Sequence, residues 1–377
     1  MRRVYLDNNA TTPVDPRVLE EMLPYFSEKF GNAASRNHAF GWEADESVQH
    51  AREQIANLIG ANSKEIIFTS GATESNNLAI RGIVETHADR GNHIISCSTE
   101  HKAVLDPASR LKESGFEVTF LSVNQEGLID LSELEAAITD RTVLISIMYA
   151  NNETGVIQPL KEISGLAKKH GVTFMTDATQ AVGKIPIDVR DLDIDLMSFS
   201  GHKLYGPKGV GALYVKSKVK LTAQIDGGGH ERGMRSGTLN VPGIVGMGKA
   251  CELCSLEMQE EERKLRLLRD KLEEAVLKIP GTRRNGDPSE RLAHVSNISF
   301  EDIDGEKLLL SLNEIAVSQG SACTSATFEP SHVLKAMGVP DELAFSTLRF
   351  GLGRFTTEEE IDFVIEKIEK AVSQLRK

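Results

Sequence analysis

The chain has 377 residues, 40% of them hydrophobic, with 43 Lys and Arg against 55 Asp and Glu for a formal net charge of −12. That length and apolar content suffice for two domains with cores of their own, and the negative charge argues against a nucleic-acid partner. Four cysteines, Cys97, Cys251, Cys254 and Cys323, are too few for a disulfide framework and suit a reducing cytosol. The start, Met1-Arg2-Arg3-Val4-Tyr5-Leu6-Asp7, lacks the apolar stretch of a signal peptide, and no segment is apolar for long enough to span a bilayer. A cytoplasmic protein with no membrane or nucleic-acid partner is expected.

Between about 50 and 215, short β-rich runs alternate with amphipathic stretches. The runs 65–69, 93–96, 117–121, 143–148, 172–176, 196–198 and 211–215 read as strands, and 76–87, 131–138 and 160–170 as helices among them. This alternation predicts an α/β fold with a mostly parallel sheet flanked by helices, its ligands bound beyond the carboxyl ends of the strands. The basic run Lys216-Ser217-Lys218-Val219-Lys220 reads as a solvated turn, and the glycine-rich stretch 227–243 as a functional loop. Residues 251–278 read as one long charged helix leading to a second, smaller α+β domain. There a strand is expected at 295–300, a helix from Glu306, a strand at 346–350 and a last helix over 357–374, opened by the capped acidic turn Thr357-Glu358-Glu359-Glu360.

The chemistry concentrates where strands end. Thr176-Asp177-Ala178-Thr179-Gln180 closes one strand, and Ser198-Phe199-Ser200-Gly201-His202-Lys203 closes another. An acid and a lysine so placed are what a pyridoxal phosphate enzyme needs: Lys203 to form a Schiff base with the aldehyde, Asp177 to keep the ring nitrogen protonated. Gln180 is either a solvent-facing helix residue or a donor to the phenolic oxygen. The turn Ser70-Gly71-Ala72-Thr73-Glu74 follows a strand and opens a helix, so its N–H groups and the Thr73 hydroxyl suit a phosphate, with Ser200 and His202 to complete the cup. His101 is either a satisfied core histidine or a flat ring stacked on the cofactor and active in proton transfer. Asn152, in Asn151-Asn152-Glu153-Thr154-Gly155, either serves a turn or touches the cofactor or a substrate carboxylate.

The second half adds a thiol and an arginine. Cys323 lies in Ser318-Gln319-Gly320-Ser321-Ala322-Cys323-Thr324-Ser325-Ala326, a small polar stretch that favours a reactive thiol over a packed one. Arg349, inside an apolar strand, needs an anion: either an internal salt-bridge partner or a bound carboxylate. Cys251 and Cys254 have CxxC spacing within a helix but no second pair, and like Cys97 they read as structural.

With these residues in view, the chain resembles the cysteine desulfurases of the NifS/IscS kind, in the class V aminotransferase group of fold-type I pyridoxal phosphate enzymes. The resemblance runs from 5–13 to 353–360 and is most specific at 69–76, 99–104, 198–209, 230–238 and 320–325. It implies a large domain over 16–255 with a seven-stranded sheet, and a small domain from 1–15 and 256–377 carrying the catalytic cysteine loop at about 318–330. It implies catalytic roles for Cys323, Lys203 and His101, and cofactor contacts from Thr73, Glu74, His101, Asn152, Asp177, Gln180, Ser200, His202 and Lys203. Thr238 would reach the phosphate of the neighbouring subunit of a homodimer, and Asn152 and Arg349 would hold the substrate carboxylate. The implied reaction converts L-cysteine to L-alanine, leaves a persulfide on Cys323 and passes the sulfur to an acceptor such as an IscU-type iron–sulfur scaffold, whose 2Fe–2S cluster Cys323 would ligate transiently. A selenocysteine lyase, another class V enzyme and a largely non-catalytic docking partner remain open on the sequence. The departures are Ala33, where proline is frequent, Gln319, where smaller residues are common, and an end at Lys377 where many bacterial relatives continue into a tail that helps dock the scaffold.

Overall fold

The computed structural model describes residues 3–319 and 330–376; Cys323 lies outside them. Among the described residues there are twelve strands: β1 (Val4–Tyr5), β2 (Ile66–Thr69), β3 (His93–Cys97), β4 (Glu117–Leu121), β5 (Thr142–Ser146), β6 (Thr173–Asp177), β7 (Leu196–Ser200), β8 (Gly211–Val215), β9 (Thr282–Arg284), β10 (Val295–Phe300), β11 (Ile315–Ala316) and β12 (Thr347–Gly351). Seven of them form one sheet in the order β2-β8-β7-β6-β5-β3-β4, with β8 antiparallel to both neighbours and every other pair parallel.

These strands are apolar on both faces, as a sheet covered on both sides requires. Ile95, Ile145 and Met197 face one core, while their chain neighbours Ile94, Leu144 and Leu196 face another. Helices cover both faces, as expected from the alternating pattern. A separate core joins Ile298 and Phe300 of β10 to Leu348 and Phe350 of β12, to Ile361, Val364 and Ile368 of the last helix, and to Val4 and Leu6 from the opposite end of the chain. Strand β1 pairs in parallel with β11. The last helix, Glu358–Leu375, opens with the expected capping box of Thr357 and Glu360.

One helix, Val241–Val276, serves both cores: Met247, Ala250, Cys251 and Cys254 pack into the large one, and Leu265, Leu268, Leu272 and Val276 into the small one. It begins at Val241, whereas the sequence predicts its start at Cys251. The hidden turns contain Pro242, harmless in a first turn where the N–H has no partner, and glycines needed for close approach. A Cβ on Gly248 would stand 2.6 Å from the Cα of Ala51, so this composition imitates a loop. Helices Ala39–Leu58 and Lys102–Glu113 also escape the sequence reading, the latter with Pro107 inside it. Among the described residues no helix is long and apolar enough to cross a membrane.

Candidate active site

Beyond the carboxyl ends of β2, β3, β5, β6 and β7 lies a cavity of about 1010 Å³. Thr73, Glu74, His101, Asn152 and Asp177 line it, and so do Gln180, Ser200, His202, Lys203 and Arg349. Residues more than 270 positions apart in sequence thus share one wall.

Asp177 ends β6 and is 6% exposed. Its Oδ1 accepts from the backbone N–H of Thr179 at 2.9 Å and its Oδ2 from Asn76 Nδ2 at 2.7 Å. Asn76, fully buried on helix Ala72–Thr86, also accepts from Ser198 Oγ. Two donors hold the carboxylate in one orientation. Lys203 ends the short 3₁₀ turn Gly201–Lys203 that follows β7, and its Nζ donates to the carbonyls of Asn9 and Ala10, the latter at 2.7 Å. Gln180 Nε2 donates to the Asn9 carbonyl at 3.0 Å. An N-terminal strap therefore orders both the lysine and the glutamine.

His101 caps helix Lys102–Glu113, its Nδ1 accepting from Ala103 N–H at 3.1 Å. Nε2 is left as the ring's second nitrogen. The side chain is open to the cavity yet set deep in the fold, and burial lowers its pKa, helped by Lys203 and opposed by Asp177. Next to it, the carboxyl of Glu100 is wholly buried, which pushes its pKa well up despite a hydrogen bond from Met148 N–H.

The turn after β2 has the form of an anion cradle. Gly71 is the N-cap of helix Ala72–Thr86, with φ +155° and no side-chain cap, so the first-turn N–H groups have no intrahelical partner. A Cβ on Gly211, at the start of β8, would come within 2.6 Å of the Gly71 Cα. Glu74 lines the cavity, but its carboxylate is engaged by Arg235 at 2.7 and 3.2 Å and by Ser70 N–H at 2.9 Å. Burial raises its pKa and these donors more than offset it, so the side chain braces the turn. His202 Nδ1 meets Thr11 Oγ1 at 3.1 Å, and burial together with the charges of Lys203 and Lys208 lowers its pKa to about 4.

Arg349 on β12 is 3% exposed. One amino group donates to Asp7 Oδ1 at 2.8 Å and the other to the Asn152 carbonyl at 2.9 Å, while Nε has no partner among the described residues. The internal salt bridge of the sequence reading is present, and donor capacity remains. Thr238 is exposed and does not line this cavity; Cys323 falls outside the described residues. Cys251 and Cys254 are buried in the long helix, and no group of three or more His, Cys, Asp or Glu among the described residues could hold a metal ion. Sequence reasoning missed Asn9, Asn76, Glu153 and His332. Asn76 alone left a signal, a polar residue among the mostly apolar buried positions of its helix.

The model of the aminotransferase class-V family matches residues 4–364. The chain belongs to this family. It is 54% identical over 376 residues to a protein named cysteine desulfurase IscS from an Anaeromyxobacter species, covering 99% of this chain and 93% of the relative. A protein of the same name from Photorhabdus laumondii subsp. laumondii is 55% identical over 377 residues, with the same shares covered. Among solved structures, a NifS-like protein superposes with a TM-score of 0.93 at 42% identity, covering 99% of this chain and all of that one. A structure titled SspA in complex with cysteine gives 0.84 at 39% identity, over 94% of this chain and 100% of that one.

The family uses pyridoxal phosphate, and the cavity residues fit it. The open helix N-terminus suits the phosphate, Lys203 the aldehyde and the doubly held Asp177 the ring nitrogen. Ser98 Oγ, Thr179 Oγ1 and Arg349 Nε belong to wall residues and lack partners among the described residues, an arrangement costly without a polar ligand nearby.

Proposed function

We propose that the protein is a pyridoxal-phosphate-dependent cysteine desulfurase that converts L-cysteine to L-alanine and collects the sulfur as a persulfide on Cys323. The convergence of Asp177, His101, Lys203 and Arg349 on one cavity carries this reading, together with relatives of that name over nearly the whole chain. When bound, the cofactor supplies an aldehyde for Lys203 and a protonated ring that accepts the electron pair released at the substrate Cα.

The chain's own groups do the rest. Asp177 keeps the proton on the ring nitrogen. His101, kept neutral by burial, would stand against the ring. Thr73, Ser200 and His202 hold the phosphate with the first turn of helix Ala72–Thr86, and Gln180 donates to the phenolic oxygen. Arg349, through Nε, and Asn152 bind the substrate carboxylate. Lys203 takes the Cα proton and returns one. The Cys323 thiolate attacks the substrate sulfur; the S–S bond forms as the carbon–sulfur bond breaks, and the carbon fragment leaves as alanine after gaining a proton.

We divide the chain into 16–255 and 1–15 plus 256–377, a division supported by the two cores, although Leu292 and Val295 of the second segment pack into the first. A homodimer is supported by the exposed Thr238 and by exposed Leu19, Leu23, Phe26, Phe30, Phe40 and Trp42, an apolar surface of the kind an interface covers. The acceptor is a scaffold protein of the IscU kind in the cytoplasm, with a 2Fe–2S cluster as cargo that Cys323 ligates in passing. Absorbance of the purified protein before and after L-cysteine, with alanine and sulfide assayed together, tests the reading. A visible band that changes as both products form supports it; no band even after cofactor is supplied refutes it.

A further inference from the structure

A second histidine shares the cavity. His332 lines it beside Pro330 and Arg349. Its Nε2 lies 3.0 Å from the carbonyl oxygen of Glu100. A carbonyl only accepts, so Nε2 carries a proton and donates it, and in the neutral ring Nδ1 is an acceptor. No hydrogen bond to Nδ1 is present among the described residues.

The anchors fix where this acceptor stands. Glu100 directly precedes His101, on the ring side of the cavity. On the other side, Ser331 Oγ donates to the carboxylate of Glu153 at 2.5 Å, and Glu153 directly follows Asn152, whose carbonyl takes the Arg349 guanidinium. His332 is near enough to both His101 and Glu153 to interact with each electrostatically. His332 therefore stands between the edge that covers the cofactor ring and the edge that takes the substrate carboxylate. With the carboxylate at Arg349 and the amino nitrogen at the cofactor, the side chain on Cα is the substituent left to meet this histidine.

We propose that His332 reads the substrate's side chain, its Nδ1 accepting a hydrogen bond from the thiol; this rests on the desulfurase reading above. A site built to accept a hydrogen bond rejects an analogue that lacks the donor, because its own acceptor is then left dry and unpaired. A thiol is a weak donor, so the expected discrimination is modest, about fivefold.

The test uses cofactor-loaded Cys323→Ala protein, in which binding is followed by visible absorbance without turnover. L-Cysteine is compared with L-2-aminobutyrate, which has a methyl in place of the thiol. His332→Gln keeps an amide N–H at the Nε2 position to bond the Glu100 carbonyl and removes the acceptor at Nδ1. It is expected to weaken L-cysteine about fivefold and leave L-2-aminobutyrate unchanged, whereas His332→Asn, whose amide oxygen reaches the Nδ1 position, recovers part of the preference. Equal weakening of both ligands would mean a packing role and overturn the proposal, as would no change in either. A loaded parent that responds to neither amino acid overturns the desulfurase reading itself, and is told apart because the parent fails before any change at His332.

Discussion

The loop that carries Thr238 is anchored by a deeply buried ion pair in addition to the Arg235–Glu74 pair. Arg52 and Glu231, 5% and 2% exposed in their side chains, meet through two contacts of 2.7 Å. Glu231 also accepts from Phe68 N–H on β2 at 2.8 Å, and the guanidinium lies 4.5 Å from the centre of the Phe68 ring. Arg52→Met keeps much of the packing and strands the carboxylate. Removing one partner of a buried pair costs about 3–5 kcal/mol. Part of that energy restrains strain, because Glu231 and Arg232 hold φ of +48° and +59°, each worth about 1–3 kcal/mol. Against a total stability of about 5–15 kcal/mol the loss is large. It is read from urea unfolding of the wild type, Arg52→Met, and the double variant Arg52→Met with Glu231→Gln. The single variant is expected to lose about 3–5 kcal/mol and the double, with no charge left to bury, about 2 kcal/mol or less. A double variant as unstable as the single would show that the stranded charge is not the cause and refute the reasoning.

Three other outcomes follow, two from the site and one from a buried histidine outside it. Cys323→Ala should keep the visible band and lose alanine and sulfide production together; robust turnover would remove the thiol from the reaction. Lys203→Ala should lose the band, at roughly 400–420 nm for lysine-bound pyridoxal phosphate, and an unchanged spectrum would exclude Lys203 as the attachment point. Acid should destabilise the fold through His294, which burial, aided by Lys184, holds neutral with a pKa lowered to about 3. The unfolded chain then binds the extra proton below pH of about 6.5, so this stability is fully present above that value and is lost as pH falls towards the folded pKa. The contribution lost between pH 7 and pH 5 is at most about 2 kcal/mol, and His294→Gln should flatten the urea midpoint over that range.

The large sheet was legible because its strands are short apolar runs separated by helices of ordinary length, and because Asp177, Lys203 and Thr73 sit where parallel strands end. The start of the long helix was not, since Gly243, Gly246 and Gly248 are there for close packing and carry no helical signal. Site residues whose chemistry is loud, a lysine or a thiol, announced themselves. Those that act by holding others did not: Asn76 orients Asp177 and Asn9 orders Lys203 through a backbone carbonyl, which any residue type possesses. Glu74 was legible as part of the phosphate turn, but its engagement with Arg235, 161 positions away, is a property of the fold alone.

The pairing of β1 with β11 joins Val4 to Ile315, and it sets a schedule for the newborn chain. The strap at Asn9 and Ala10, which orders Lys203, is tied down through neighbours that include Arg349 and Gly351. Domains emerge from the ribosome amino end first, so the large sheet can assemble while these last segments are still in the exit tunnel. Residues 4–8, whose partners lie at 314–351, must wait for those segments, whereas Asn9 to Thr12 can already bond Gln180, His202 and Lys203. A translating chain thus holds the lysine and the phosphate turn before β11 and β12 secure the strap, and the full set of contacts around Lys203 should form only after those strands emerge.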